Sequence, residues 1–157
     1  MILHADCLIR QGVTGRVMEE LNGNPRAIGG CLGMSYFDPS LKNGFIARVN
    51  NARAIWTGIS FGDQGQFFRR EALPLMGGFP EVMLMEDVEL SMRLKEQGSL
   101  CFVPRGVTVS KRRWGNVGFL SNVGRVVCNC VVYLVRRRLG IGDSSGGDLY
   151  GRYYGAG

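Results

Sequence analysis

Along this chain the spacing of apolar residues switches repeatedly between a helical period and a strand-like one, and that interleaving constrains the fold more than any other feature. Val13, Val17, Met18 and Leu21 recur at helical spacing within residues 11–21, and Asn22-Gly23-Asn24-Pro25 stops the run. Residues 27–37 then read as a strand, in which Gly29-Gly30 marks a bulge or a close backbone approach. Leu41, Phe45, Ile46, Val49, Ala52 and Trp56 restore the helical period until Gly58, predicting an amphipathic helix.

The alternation continues beyond this point. A polar loop feeds a short strand at residues 66–68, and residues 70–76 form a short helix stopped by Gly77-Gly78. Glu86-Asp87 opens a helix that runs to about Gln97, with acids where the macrodipole favours negative charge. Residues 100–103 and 107–110 read as two short strands separated by Pro104-Arg105-Gly106. An amphipathic helix over residues 117–138 follows, ending in three arginines. At the other end, residues 1–3 read as the end of a buried strand whose polar terminus is His4-Ala5-Asp6. The whole predicts one α/β domain over residues 1–139 and a Gly/Ser/Tyr-rich tail, expected to be mobile, over residues 140–157.

A chain of 157 residues suffices for a single domain that buries about 70% of its unfolded surface. The formal charge of +6 comes largely from Lys111-Arg112-Arg113 and Arg136-Arg137-Arg138. Such clusters attract phosphate on a nucleotide, a lipid headgroup or nucleic acid, or simply form a solvated face. The five cysteines show no metal-ligand spacing, which predicts reduced thiols in a cytoplasmic protein. There is no charged segment followed by an apolar one to make a signal peptide. Asn122, Arg125 and Asn129 interrupt the most apolar stretch, so an amphipathic helix is expected there rather than a membrane span. A lone histidine, His4, leaves no Ser-His or Cys-His pair to assemble, and no phosphate-binding loop ending in Lys-Ser/Thr occurs.

Three acidic points remain: Asp6 at a strand end, Asp63 between glycines, and Glu86-Asp87 at a helix start. Strand ends and the loops beyond them are where α/β proteins place their chemistry. Each point also has a purely structural reading, as a strand-end cap, an Asx turn or a helix cap.

In order, Leu3-His4-Ala5-Asp6, Gly29-Gly30-Cys31, Gly62-Asp63-Gln64-Gly65 with Phe68-Arg69-Arg70-Glu71, Gly77-Gly78-Phe79-Pro80-Glu81, and Leu84-Met85-Glu86-Asp87-Val88-Glu89-Leu90 with Arg93-Leu94 resemble the family-two glycosyltransferases. The nearest likeness is to a bacterial subgroup associated with radical-SAM and selenocysteine-domain proteins, and it spans residues 2 to about 139. The resemblance implies a GT-A fold, a nucleotide-sugar donor, inversion at the anomeric carbon and a divalent cation, Mn²⁺ or Mg²⁺. It implies that Asp6 holds the metal as the second Asp of a D-x-D motif whose first position is His4. Imidazole suits softer ions than magnesium, which keeps manganese open. It implies Asp87 as general base with Glu86 orienting loops or acceptor, and Asp63 and Gln64 as donor or acceptor contacts. Arg113 and Trp114 resemble the R-W pair of larger members, beside acceptor and diphosphate.

Members normally place several βα units, which hold the nucleotide, before the metal-binding Asp. Only five residues precede Asp6 here. The chain is therefore expected to be the acceptor-side portion, as a fragment or with its N-terminal half in a separate chain. The acceptor is a sugar or a lipid-linked molecule, and no nucleic acid is expected. A membrane surface, reached from the cytoplasmic side through the C-terminal helix, and a homo-oligomer are further partners the sequence leaves open. The alternatives to catalysis are a non-catalytic acceptor- or partner-binding module, or a basic membrane-surface binder.

Overall fold

The computed structural model describes residues 1–38, 40–82, 84–110 and 119–140. The described chain is α/β: helices pack on a mixed four-stranded sheet ordered β1-β4-β2-β3. The strands are β1 (Cys7–Ile9), β2 (Ala27–Tyr36), β3 (Gln66–Phe68) and β4 (Ser99–Val109). The helices are α1 (Val13–Gly23), α2 (Leu41–Thr57), α3 (Ala72–Leu75), α4 (Glu86–Gln97) and α5 (Phe119–Leu139). The expected tail over residues 140–157 falls outside the described residues after Gly140.

Central strands β2 and β4 run parallel, while β1 and β3 flank them antiparallel. Leu32, Met34, Val103, Val107 and Val109 of the central pair join Val13, Val17 and Leu21 of α1 and Ile46 and Ala47 of α2 in the main core. Leu90 and Leu94 of α4 form a second cluster with Ala72 and Met76.

Gly29 and Gly30 occupy a close approach, as the sequence suggests. A Cβ on Gly29 would lie 2.6 Å from the Phe67 carbonyl, and one on Gly30 would run into the Cys101 carbonyl. The pairing also slips in register between Ala27 and Gly29.

Two expectations about strands need correction. The triplet Pro104-Arg105-Gly106 does not divide two strands but forms a bulge within one, because Leu32 and Met34 of β2 pair with Val103 and Val107 of β4. Proline lacks the N–H for a ladder, and the bulge takes it out of register; Arg105 follows in the left-handed region at φ 52°. Gly33 opposite accommodates the bulge, since a Cβ there would lie 2.8 Å from the Arg105 nitrogen.

The first strand is also displaced. Of residues 1–3 only Ile2 pairs, as an isolated antiparallel bridge to Gln66 with N–O distances of 2.7 and 2.9 Å. The chain then turns, with the Cys7 amide donating to the His4 carbonyl at 3.1 Å, and β1 begins after Asp6 on the far side of β4. Residues 3–6 thus cross from one edge of the sheet to the other.

Helix α2 lies where its period predicts, capped by Ser40, whose hydroxyl accepts from the Asn43 amide at 3.1 Å. It buries Ile46, Ala47 and Ala54, while Leu41, Phe45, Val49 and Trp56 face outward. The reason is a backbone need: β3 pairs only with Gly29 to Cys31. Beyond it the Met34 peptide groups are met by Asn51 of α2, at 2.9 Å to the N–H and 3.1 Å to the carbonyl. Turning Asn51 toward the sheet turns the large apolar residues away.

Candidate active site

The site is built around a single 3-10 turn, Gly62–Gln64, between α2 and β3. Gln64 is fully buried and holds the turn. Its Oε1 accepts from Arg53 Nη2 at 2.8 Å and from the Phe61 amide at 3.2 Å, and its Nε2 reaches Asn51 Oδ1 at 3.4 Å. The Gln64 side-chain amide is thus committed to protein groups and holds the turn that carries Asp63.

Asp87 reaches the same turn from the first turn of α4. Its Oδ2 accepts from the Gly62 amide at 2.7 Å and its Oδ1 from the Val88 amide at 2.7 Å. Gln66 of β3 anchors this end of α4 by donating to the Asp87 carbonyl at 2.8 Å and to Ser60 and Ser91. Met85, immediately before the acidic pair, sits in the left-handed region at φ 68°. For a residue with a side chain that conformation costs about 1–2 kcal/mol. The surroundings hold it there: Met85 is buried against Val88 and Tyr133.

The crossing segment brings His4 and Asp6 to the other side of the turn. The His4 imidazole lies against Gly62, so closely that a Cβ there would collide with the ring. Cys7 Sγ lies 3.6 Å from Asp6 Oδ1 and 3.8 Å from the Asp63 carbonyl, so the stretch after Asp6 abuts Asp63. The structure therefore gathers His4, Asp6, Asp63 and Asp87 at one loop, and Glu86 adds its charge beside Asp87.

Burial pushes the Asp63 carboxyl up to about 6; Arg53 and His4 pull it down while Asp87 and Asp6 push it further up. Burial also raises Asp87, against the Gly62 amide and with the help of Glu86. The Tyr36 hydroxyl is pushed up to about 12 by burial and by the charge of Asp63. Arg53, the cation of the group, is one that sequence reasoning missed. Its guanidinium carbon lies 3.5 Å from the centre of the Phe61 ring, and burial lowers its pKa against the pull of Asp63 and Asp87.

Among the described residues three buried polar side-chain atoms have no protein hydrogen-bond partner: Asp63 Oδ1, Arg53 Nε and Tyr36 Oη. Asp63 interacts electrostatically with both of the other residues. Buried polar groups are nearly always bonded, so a cluster of exceptions marks a place where water, an ion or a ligand completes the set. The donor set bears on a divalent cation too. Among the described residues no three His, Cys, Asp or Glu side chains form a ready cage. Magnesium and its like are typically held by one or two carboxylates, with phosphate oxygens and water supplying the rest. Asp6 and the unpartnered oxygen of Asp63 fit that limited role, with His4 beside them.

Glu89, a carboxylate to which the sequence assigns no role, is the second residue of this kind after Arg53. It accepts from Arg93 at 2.8 Å, from Tyr133 at 2.7 Å and from Arg137 at 2.8 Å, tying α5 to α4 over the site. Arg113 and Trp114 lie outside the described residues. The five cysteines are free thiols. Among the described residues no helix is long and apolar enough to cross a membrane.

A comparison of the chain with models of known protein families finds no match, and a search of curated proteins finds none.

Proposed function

We propose that this chain is an inverting sugar transferase of GT-A type, with Asp87 as general base and the Asp6 and Asp63 loops receiving the diphosphate of a nucleotide-sugar donor. The observation that carries the reading is the meeting of acidic groups from three distant points at the Gly62–Gln64 turn, where Asp63 Oδ1 has no protein partner.

Inversion by one displacement needs a single base that takes the acceptor hydroxyl's proton as its oxygen attacks the anomeric carbon. Burial raises the proton affinity of Asp87 and Glu86 adds to it, which suits a base working near neutral pH. The Gly62 and Val88 amides fix the orientation of the carboxylate. Each oxygen keeps a lone pair beyond the amide it already accepts from, and so can receive a hydroxyl. Arg53, held by Gln64 and Phe61, offsets the negative charge gathered around Asp63.

A divalent cation, when bound, neutralises charge developing on the departing diphosphate. Asp6 and Asp63 are the residues that would hold it, with His4 favouring Mn²⁺ over Mg²⁺. On sequence grounds Arg113 and Trp114 remain the proposed contacts to donor or acceptor. The acceptor class we propose is a sugar or lipid-linked alcohol on the cytoplasmic side.

The test is release of nucleoside diphosphate from a panel of nucleotide sugars in the presence of Mn²⁺. Wild-type chain should release it, and Asp87→Asn should lower the rate by about 10²–10⁴-fold. Absence of release by the wild type, or equal rates for the two proteins, would remove the reading.

A further inference from the structure

The apolar stripe of α2 faces solvent. Leu41 is 97% exposed, Trp56 85% and Phe45 65%, and Val49 and Ile55 are each more than half exposed. Residues 41, 45, 49, 52 and 56 follow the helical repeat, so they line one side of the helix. A contiguous apolar patch with two aromatic residues is seldom left uncovered on a soluble protein. Nor can the helix roll to hide it, because the sheet side is already occupied by Ile46, Ala47, Ala54 and the Asn51 bonds to Met34.

The charges of α2 are all of one sign. Lys42, Arg48 and Arg53 are its only ionised residues, and Leu41–Thr57 contains no Asp or Glu. Arg48 is exposed and falls beside Phe45 and Val49 on the outer side. The same chemistry recurs on α5, where Val127, Val131, Val135 and Leu139 are each at least half exposed and Phe119–Leu139 again contains no acid.

We propose that the outer face of α2 docks on an anionic lipid surface. Phe45 and Trp56 enter the boundary between headgroups and acyl chains while Lys42 and Arg48 meet the headgroup phosphates. An amphipathic helix with aromatic residues on one side and only cations among its charged groups is the type that lies in such an interface. Two other occupants fit less well. A twofold contact with a second copy would set α2 against α2, cation against cation, with no carboxylate on either helix. A nucleic acid supplies phosphates but would leave Leu41, Phe45 and Val49 against a polar backbone. The inference is independent of the sugar chemistry, since Phe45, Trp56, Lys42 and Arg48 have no part in the proposed active site.

Flotation of the full chain with vesicles tests it. Binding should be strong with phosphatidylcholine vesicles containing phosphatidylglycerol and weak with phosphatidylcholine alone. The double substitution Phe45→Ser and Trp56→Ser, and separately Lys42→Glu with Arg48→Glu, should each weaken binding by about tenfold or more. Acyl chains brominated near the headgroup should quench tryptophan emission in the wild type, and Trp56→Phe should remove that part of the quench. The proposal is overturned by absence of binding to anionic vesicles, or by binding that the Phe45/Trp56 double variant leaves intact. It is equally overturned by self-association in solution that the same double variant dissolves.

Discussion

The Asp87 carboxylate accepts a hydrogen bond from the Gly62 amide at 2.7 Å, so the acidic pair that opens α4 and the turn that carries Asp63 form one unit despite a separation of 25 residues. Both carboxylate oxygens of Asp87 face backbone donors, the other being the Val88 amide. Replacing Asp87 with Asn sets an NH₂ group against one of those donors. The expected loss is about 1–3 kcal/mol in urea unfolding, with the fold retained. A variant as stable as the wild type would mean that the two amide bonds do not hold the site.

Asp63 gives the pH dependence its sign. Its folded pKa is raised by burial from 3.8 to about 6. The folded state therefore holds a proton that the unfolded state has lost, and stability falls as pH rises through this window and levels off above it. Asparagine mimics the neutral acid. Asp63→Asn should match the wild type near the acid end of the window and exceed it by about 2–3 kcal/mol at neutral pH. Unfolding midpoints of the two proteins across this range check it, and a constant difference would contradict it.

Glu89 behaves in the opposite sense. Burial alone would raise its pKa, but hydrogen bonds from Arg93, Tyr133 and Arg137 outweigh burial and hold the carboxyl below its ordinary value. Its contribution is present above the unfolded pKa and is lost as pH falls through the folded one. Removing the charge strands its partners, so Glu89→Ala should cost about 2–3 kcal/mol and Tyr133→Phe about 1 kcal/mol. Limited proteolysis within α5 should accelerate in both, more in the first.

Arg105 offers a gain instead of a loss. It is exposed, sits at φ 52°, and its carbonyl accepts from Arg16 at 3.2 Å, a backbone contact that survives substitution. Relieving the left-handed conformation gains about 1–2 kcal/mol, and the added freedom of glycine in the unfolded chain takes back about half. Arg105→Gly should therefore raise stability by about 0.5–1 kcal/mol in thermal or urea unfolding.

Helices were legible in the sequence because their apolar period is local: α1, α2 and α4 lie within a residue or two of where spacing puts them. The long β4 was not, because Pro104-Arg105-Gly106 looks like a breaker unless Gly33 is known to face it. Which side of α2 meets the sheet depends on Asn51 filling a gap that β3 leaves, a tertiary fact with no signature in the period. Asp6, Asp63 and Asp87 could be picked out as acids at element ends. Arg53 could not, since a single arginine in a helix resembles any surface cation until Phe61 and Gln64 are seen to enclose it. Glu89 was hidden for a similar reason, two of its three partners lying 44 and 48 residues away on α5.

The most direct test of the proposed site is paramagnetic broadening of backbone amide resonances during titration with Mn²⁺ and a nucleoside diphosphate. Broadening should begin at residues 4–7, 62–64 and 86–88, and Asp6→Asn together with Asp63→Asn should abolish it. Broadening that begins elsewhere on the molecule, or that persists unchanged in the double variant, would contradict a cation-binding centre at the Gly62–Gln64 turn.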